Sequence, residues 1–213
     1  MPRKKKVSAL VPIPATGLRC IGGREIRFDQ IYQVPALKPD KRGGPWSQEA
    51  DKLTWTDATG FSCIILRKPH HGHLCGFVGV EPGHPLFGVM HDAIPHTLNI
   101  RVHGGLNYSE PCDERGPEAM RICHVREQMG EAHDMRWWFG FSCDHPYDLV
   151  PGREGMAEPE MSADLSYRDE AYLFDQCTGL AAQLAAIEVG RSPETVPIVE
   201  PPAIGSDRLR AKE

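Results

Sequence analysis

The sequence predicts an α+β protein in which a mainly antiparallel sheet is covered by one long C-terminal amphipathic helix. Three observations support this class. Short alternating segments are separated by turn residues, one helical pattern lies near the C-terminus, and the strand–helix alternation of a parallel sheet is missing. Within the 213 residues, residues 1–20 are expected to be a flexible basic lead-in, 21–190 a single domain and 191–213 a disordered tail.

The strands are predicted from alternating apolar residues bounded by turns. Residues 24–34 favour a short strand. Phe61–Lys68 and Leu74–Val80 are predicted to form a hairpin around the turn Pro69–His73. Two further segments alternate clearly, 97–103 and 136–143. Between these last two, residues 109–135 are polar and irregular, which predicts a long connection.

The helix is predicted from Tyr167 to Val189. Ser166 is a candidate N-cap, with Asp169 three residues later, and Gly190 is expected to end the helix. One apolar stripe repeats at steps of four and three residues, which predicts the buried face: it consists of Leu173, Cys177, Leu180, Leu184 and Ile187.

Charge and cysteine content exclude some classes of protein. The net charge is −5, with 24 basic and 29 acidic residues, whereas proteins that bind phosphate backbones usually carry a basic excess. No apolar run approaches the roughly 18 residues of a membrane helix, and no signal-peptide pattern is found. The chain is therefore expected in the cytosol, where its seven cysteines would be reduced.

Histidines are concentrated in the middle of the chain: all ten lie between His70 and His145. The first candidate is His103, which would share a strand face with Arg101 and is followed by Gly104 and Gly105. Glycines allow a ligand to approach the backbone closely. The alternative is a solvent-exposed histidine before a glycine turn.

A second candidate follows the strand 136–143, where Cys143, Asp144, His145 and Asp148 come in quick succession. Thiolate, imidazole and carboxylate are the ligand types of zinc, and carboxylate with imidazole also suits manganese or iron. The alternative for Cys143 is a buried position in phase with the strand's aromatic residues.

A third candidate is the pair Cys123–His124, with Cys112 eleven residues earlier. Together with Cys143 and His145 these residues could complete a tetrahedral zinc site, although the spacing matches no zinc-finger pattern. The histidines of 70–73 can bind metal adventitiously, but at a hairpin tip they are expected to be exposed and without a role.

Three stretches together resemble a family of uncharacterised phage and prophage proteins. They are Gly72–Gly88, Val102–Tyr108 (with His-Gly-Gly-Leu), and Ile122–His124 followed by Trp137–His145 (with Trp-Trp-Phe-Gly-Phe and Cys-x-His). The family pattern often has an acidic residue where this chain has Ser142. The resemblance implies an accessory protein acting in a bacterial cell, and it implies no established activity.

The leading expectation is a small hydrolase that uses a divalent metal, with zinc as the first candidate, on a nucleotide or another phosphorylated small molecule. The catalytic residues would be His103, His124 and Asp148. The substrate would contact Arg101, Gly104, Gly105 and Trp138. The metal ligands would be His145, Cys143, Asp144 and Cys123.

Two alternatives stay open. One is a phage protein without catalysis that sequesters a nucleotide or blocks a host protein, with Trp137 or Trp138 stacking on a base. The other is a structural zinc site in an interaction module, which loss of Cys123 or Cys143 would unfold.

Overall fold

The computed structural model describes residues 15–39, 44–153 and 165–193. Within them, seven strands form one antiparallel sheet in the order β1-β2-β3-β4-β5-β7-β6. One long helix packs on the sheet through β4 and β5, which confirms the α+β class. The elements are β1 (Ala15–Ile21), β2 (Arg24–Tyr32), β3 (Lys52–Thr56), β4 (Ser62–Arg67), β5 (Leu74–Val80), β6 (Tyr108–Pro111), β7 (Trp137–Ser142) and α1 (Glu170–Glu188).

The predicted hairpin is confirmed, with β4 and β5 paired in register from Ser62–Gly79 to Arg67–Leu74. The other edge of β5 pairs with β7. Glycine is required inside β5, because a Cβ on Gly76 would lie 2.4 Å from the Phe141 ring and 2.7 Å from the Cys177 sulfur. The groups that approach the backbone of β5 closely are thus an aromatic ring of β7 and a side chain of the packed helix.

The helix α1 is shorter than predicted at its start. Asp169 is the N-cap, since its side chain accepts a hydrogen bond of 2.8 Å from the backbone N–H of Tyr172. The prediction of Ser166 as the cap is therefore wrong, and Ser166 instead forms a parallel bridge with Asp148. The apolar stripe of α1 is buried as predicted.

The strand predicted over residues 97–103 is wrong. His96–Leu98 is a 3-10 turn, and Asn99 has a left-handed backbone with φ 46°. The following residues run along α1. The Gln183 side chain hydrogen-bonds both the N–H and the carbonyl of Arg101, and the Gln176 side chain accepts a hydrogen bond from the backbone N–H of His103. The apolar alternation was real, since its apolar side chains contact the core, but helix side chains replace the partner strand.

Three strands were not predicted: β1, β3 and β6. In two of them, β1 and β6, most positions are exposed or half-buried, as at Leu18 and Glu110, so their place in the sheet depends on pairing more than on burial. Because β1 begins at Ala15, residues 15–20 belong to the sheet, and the predicted boundary of the lead-in is wrong there. Residues 1–14 and 194–213 lie outside the described residues.

The two faces of the sheet are covered differently. α1 covers one face, over a core that includes Leu53, Ile65, Val78 and Phe139. On the other face a smaller buried cluster forms around Phe77 and Trp138, with contributions from the connection between β6 and β7. In the described part of the chain, no helix is both long and apolar enough to cross a membrane.

Candidate functional site

Three of the predicted site residues meet at one end of α1. The open cluster, as we name it, consists of His103, His145 and Asp148, whose candidate ligand atoms all lie within 4.8 Å of one another. His103 belongs to the segment that runs along α1, whereas His145 and Asp148 follow β7. The sequence candidates around His103 and around His145 are therefore parts of one site.

Asp148 is the buried centre of the open cluster. The Arg168 Nε donates to its Oδ1 at 2.8 Å, and its Oδ2 accepts from His103 Nε2 at 2.8 Å and from the His145 backbone N–H at 3.0 Å. Burial alone would raise the pKa of this carboxyl, but the hydrogen bonds from His103 and Arg168 outweigh it and lower the pKa to about 2. The carboxylate is consequently ionised at neutral pH.

The ring of His103 is held at both nitrogens. Because Asp148 is ionised and can only accept, Nε2 must carry the proton between them, and a neutral ring then accepts at Nδ1. Tyr172 Oη lies 2.9 Å from Nδ1. Burial raises the pKa of Tyr172 to about 12, so its hydroxyl is protonated and donates. A chain of hydrogen bonds therefore runs from Tyr172 through His103 to Asp148.

His145 differs from His103 because one of its ring nitrogens is unsatisfied. Its Nδ1 is buried and has no hydrogen-bond partner among the described residues, although it lies 3.4 Å from Asp148 Oδ2. The side chain as a whole is 32% exposed. The ring lies against Gly104, where a Cβ would be 2.0 Å from His145 Cε1. The absence of a side chain at Gly104 therefore makes room for His145.

Two other predicted residues lie beside the open cluster. Asp144 is not among its ligand group, and its carboxylate accepts a 2.6 Å hydrogen bond from Ser142 and lies 3.8 Å from His73 Nε2. The expectation that residues 70–73 are simply exposed is wrong for His73, which is buried. Gly105 lines a cleft next to the open cluster.

Cys143 and Trp138 do not have the predicted roles. Cys143 is buried in the core on the helix side, where desolvation raises the pKa of its thiol well above the ordinary value, so a thiolate ligand is disfavoured. Trp138 is fully buried on the other face of the sheet, and its Nε1 donates to Asp134 at 3.0 Å. It has no exposed ring face on which a base could stack.

Cys123 and His124 belong to a second group on that other face. Cys123 is joined to Cys112 by a disulfide, which corrects the expectation of seven reduced thiols and leaves Cys123 without a thiolate for a metal. His124 is fully buried, and its Nε2 lies 3.1 Å from Asp29 Oδ2. Its predicted catalytic role alongside His103 is therefore wrong, because substrate cannot reach it. The zinc site that would unite Cys123 with Cys143 is likewise not formed among the described residues.

Sequence reasoning missed the residues that hold the open cluster in place. Arg168 and Tyr172 lie at the start of α1 and contact each other, with the Arg168 guanidinium 4.9 Å from the Tyr172 ring centre. One signal was present in the sequence. Tyr172, Gln176 and Gln183 are spaced by four and seven residues, which places them in one polar row beside the apolar stripe.

Comparison of the chain with protein-family models, with curated proteins and with solved structures finds no match. The resemblance to phage proteins is therefore still an expectation from sequence motifs.

Proposed function

We propose that the open cluster binds a divalent metal ion, with zinc as the first candidate, and that the protein is a metal-dependent hydrolase of a small phosphorylated molecule. The observation that carries the proposal is the convergence of two imidazoles on one buried carboxylate, with His145 Nδ1 left without a partner. A buried polar atom without a hydrogen bond is costly unless a ligand satisfies it. Imidazole and carboxylate are the ligands that zinc takes in catalytic sites.

The hydrogen bonds around His103 are compatible with this role. His103 can bind a metal through Nε2 once its ring proton is on Nδ1, where Tyr172 Oη would accept it. Tyr172 would then orient the ligand in the way that outer partners orient metal-bound histidines. Arg168 would keep its hydrogen bond to the second oxygen of Asp148. When bound, such a metal supplies Lewis acidity and lowers the pKa of water at the site.

An anionic substrate is proposed because of Arg101. Its side chain is exposed, lies two residues before His103, and has no hydrogen bond or ion pair with other described residues. A free guanidinium can bind two oxygens of a phosphate at once. Gly104 and Gly105 add no side chains that would obstruct the approach.

A non-catalytic binding protein is the second candidate, and one observation favours it. Arg168 already neutralises Asp148, and both nitrogens of His103 have partners. The cluster is thus nearly satisfied without a metal. A binding protein would return its ligand intact after denaturation, whereas a hydrolase would return products.

The cellular location and the class of ligand are also part of the proposal. We place the protein in the bacterial cytosol as a phage-type accessory protein with a small-molecule ligand. The charge of −5 continues to disfavour nucleic acid. Disulfides are uncommon in the cytosol, so the state of Cys112 and Cys123 in cells tests this placement.

The deciding experiment is metal content. Full-length protein purified without chelator should carry near-stoichiometric metal, and His145→Ala should lose it because the substitution removes a ligand. His133→Ala is the matched control, since His133 is exposed and pairs with Glu114. Two results together would overturn the metal proposal: wild-type protein that contains no metal, and a melting temperature that does not change when zinc, manganese or magnesium is added.

A further inference from the structure

A cleft lies next to the open cluster and is not explained by the metal site. Its volume is about 320 Å³, it is open to solvent, and its lining residues lie between His91 and Leu106, among them Asp92, Ile94, Ile100 and Gly105. This volume is at the lower end of the range of small-molecule pockets, roughly 300–1,000 Å³. The cleft therefore suits a compact ligand or one portion of a larger one.

The cleft and the open cluster share one chain segment. Gly105 lines the cleft, and the preceding Gly104 contacts the ring of His145; adjacent Cα atoms are only about 3.8 Å apart. Ile100 lines the cleft three residues before His103, a separation of at most about 10 Å along the chain. A ligand in the cleft can thus extend to the open cluster past Arg101.

The lining indicates what the cleft can bind. Ile94, Ile100 and Leu106 are half-buried against the core and present apolar surface. Asp92 is exposed and has no hydrogen bond or ion pair within the described residues. The lining includes His91 and His96 but neither arginine nor lysine, and the Asp92 carboxylate would repel a phosphate, so the cleft itself does not favour an anionic group. It suits an uncharged group that has apolar faces and N–H donors from which a carboxylate can accept hydrogen bonds.

We propose that the cleft binds the nucleobase of a nucleotide, with guanine preferred, while the phosphate lies at Arg101 and the open cluster. Guanine offers two neighbouring N–H donors, on N1 and the exocyclic N2, and the two oxygens of Asp92 can accept both. Ile100 and Leu106 would contact the faces of the base. The inference rests on the proposed function for the position of the phosphate, but not for binding of the base.

The test is titration of full-length protein, freed of metal with chelator, with guanosine and with adenosine, followed by calorimetry and by NMR. Guanosine should bind at least tenfold more tightly than adenosine, whose corresponding edge offers one donor beside an acceptor. Asp92→Asn should weaken guanosine at least tenfold, because the amide presents a donor to a donor. Asp113→Asn is the control, since Asp113 is exposed and pairs with Arg115.

The outcomes separate the two proposals. Guanosine binding that depends on Asp92, without release of phosphate from guanosine monophosphate by the metal-loaded protein, supports the cleft and contradicts the hydrolase. Absence of guanosine binding, or equal binding by wild type and Asp92→Asn, overturns the cleft proposal whatever the metal analysis shows. Circular dichroism of Asp92→Asn checks that the variant is folded.

Discussion

Two groups of His, Asp and Arg residues lie on opposite faces of the sheet, and they differ in whether solvent or a ligand can reach them, since the His124 side chain is fully buried and that of His145 is 32% exposed. On the face away from α1, Asp134 accepts hydrogen bonds from the backbone of His124 and Arg136 and from the side chains of Arg136 and Trp138. We call Asp134 with these partners the closed cluster. In the open cluster, by contrast, the His145 ring is partly exposed and one of its nitrogens is unpaired.

The difference shows that residue type alone does not identify a site. Both groups contain a buried aspartate with an arginine partner, and both drew attention in the sequence because of their histidines. Both oxygens of Asp134 accept from fixed donors, and the His124 ring beside it, although its nitrogens have no hydrogen-bond partner among the described residues, is fully buried, so this group stabilises the fold and offers no accessible edge to a ligand. The open cluster keeps an accessible edge and an unpaired nitrogen, which are the properties of a binding site.

The largest expected effect is in the closed cluster. Asp134→Ala should lower the free energy of unfolding by about 3–5 kcal/mol, because it leaves the buried backbone N–H groups of His124 and Arg136 and the Trp138 indole N–H without their acceptor. Urea denaturation measures this. Asp113→Ala removes an aspartate from an exposed pair and should change stability by no more than about 0.5 kcal/mol. Equal effects of the two substitutions would contradict the distinction between the clusters.

The disulfide beside the closed cluster should have the next largest effect. Cys112 and Cys123 are eleven residues apart, and opening a loop of this length costs about 2–3 kcal/mol of stability. Urea curves with and without reductant measure the loss, which Cys20→Ser, at an exposed free cysteine, should not reproduce. Alkylation of the unreduced, denatured protein should label five of seven cysteines. Labelling of all seven cysteines would mean that the disulfide is absent and that every thiol is reduced, as the sequence predicts.

The smallest change in stability is expected at Gly104, where the effect should be local. Gly104→Ala places a methyl group against His145 at a φ of +64°, so it should cost about 1–2 kcal/mol, shift the His145 ring signals in NMR, and weaken zinc binding at least tenfold. Gly190→Ala introduces similar backbone strain at φ +69°, with nothing within 4 Å. If both variants leave His145 and zinc binding unchanged, Gly104 does not position the ring.

Much of the fold was predictable because it depends on local periodicity. The hairpin β4–β5, the strand β7 and the buried stripe of α1 each follow from the alternation of apolar residues over a few positions. The same reasoning failed for residues 97–103. The alternation indicates that Ile100 and Val102 face the core, where they are half-buried, but it does not indicate whether a strand or a helix supplies the hydrogen bonds.

Of the candidate site, the sequence determined the chemistry available: His103, His145 and Asp148 were all identified from residue type and position at segment ends. Only the tertiary structure decided that these three meet, that Arg168 and Tyr172 complete the group, and that His124, Cys123 and Trp138 lie on the other face. The physical reason is that residue type fixes which bonds a side chain can form. Which partner it meets depends on strand pairing and helix packing between residues as far apart as His103 and Tyr172.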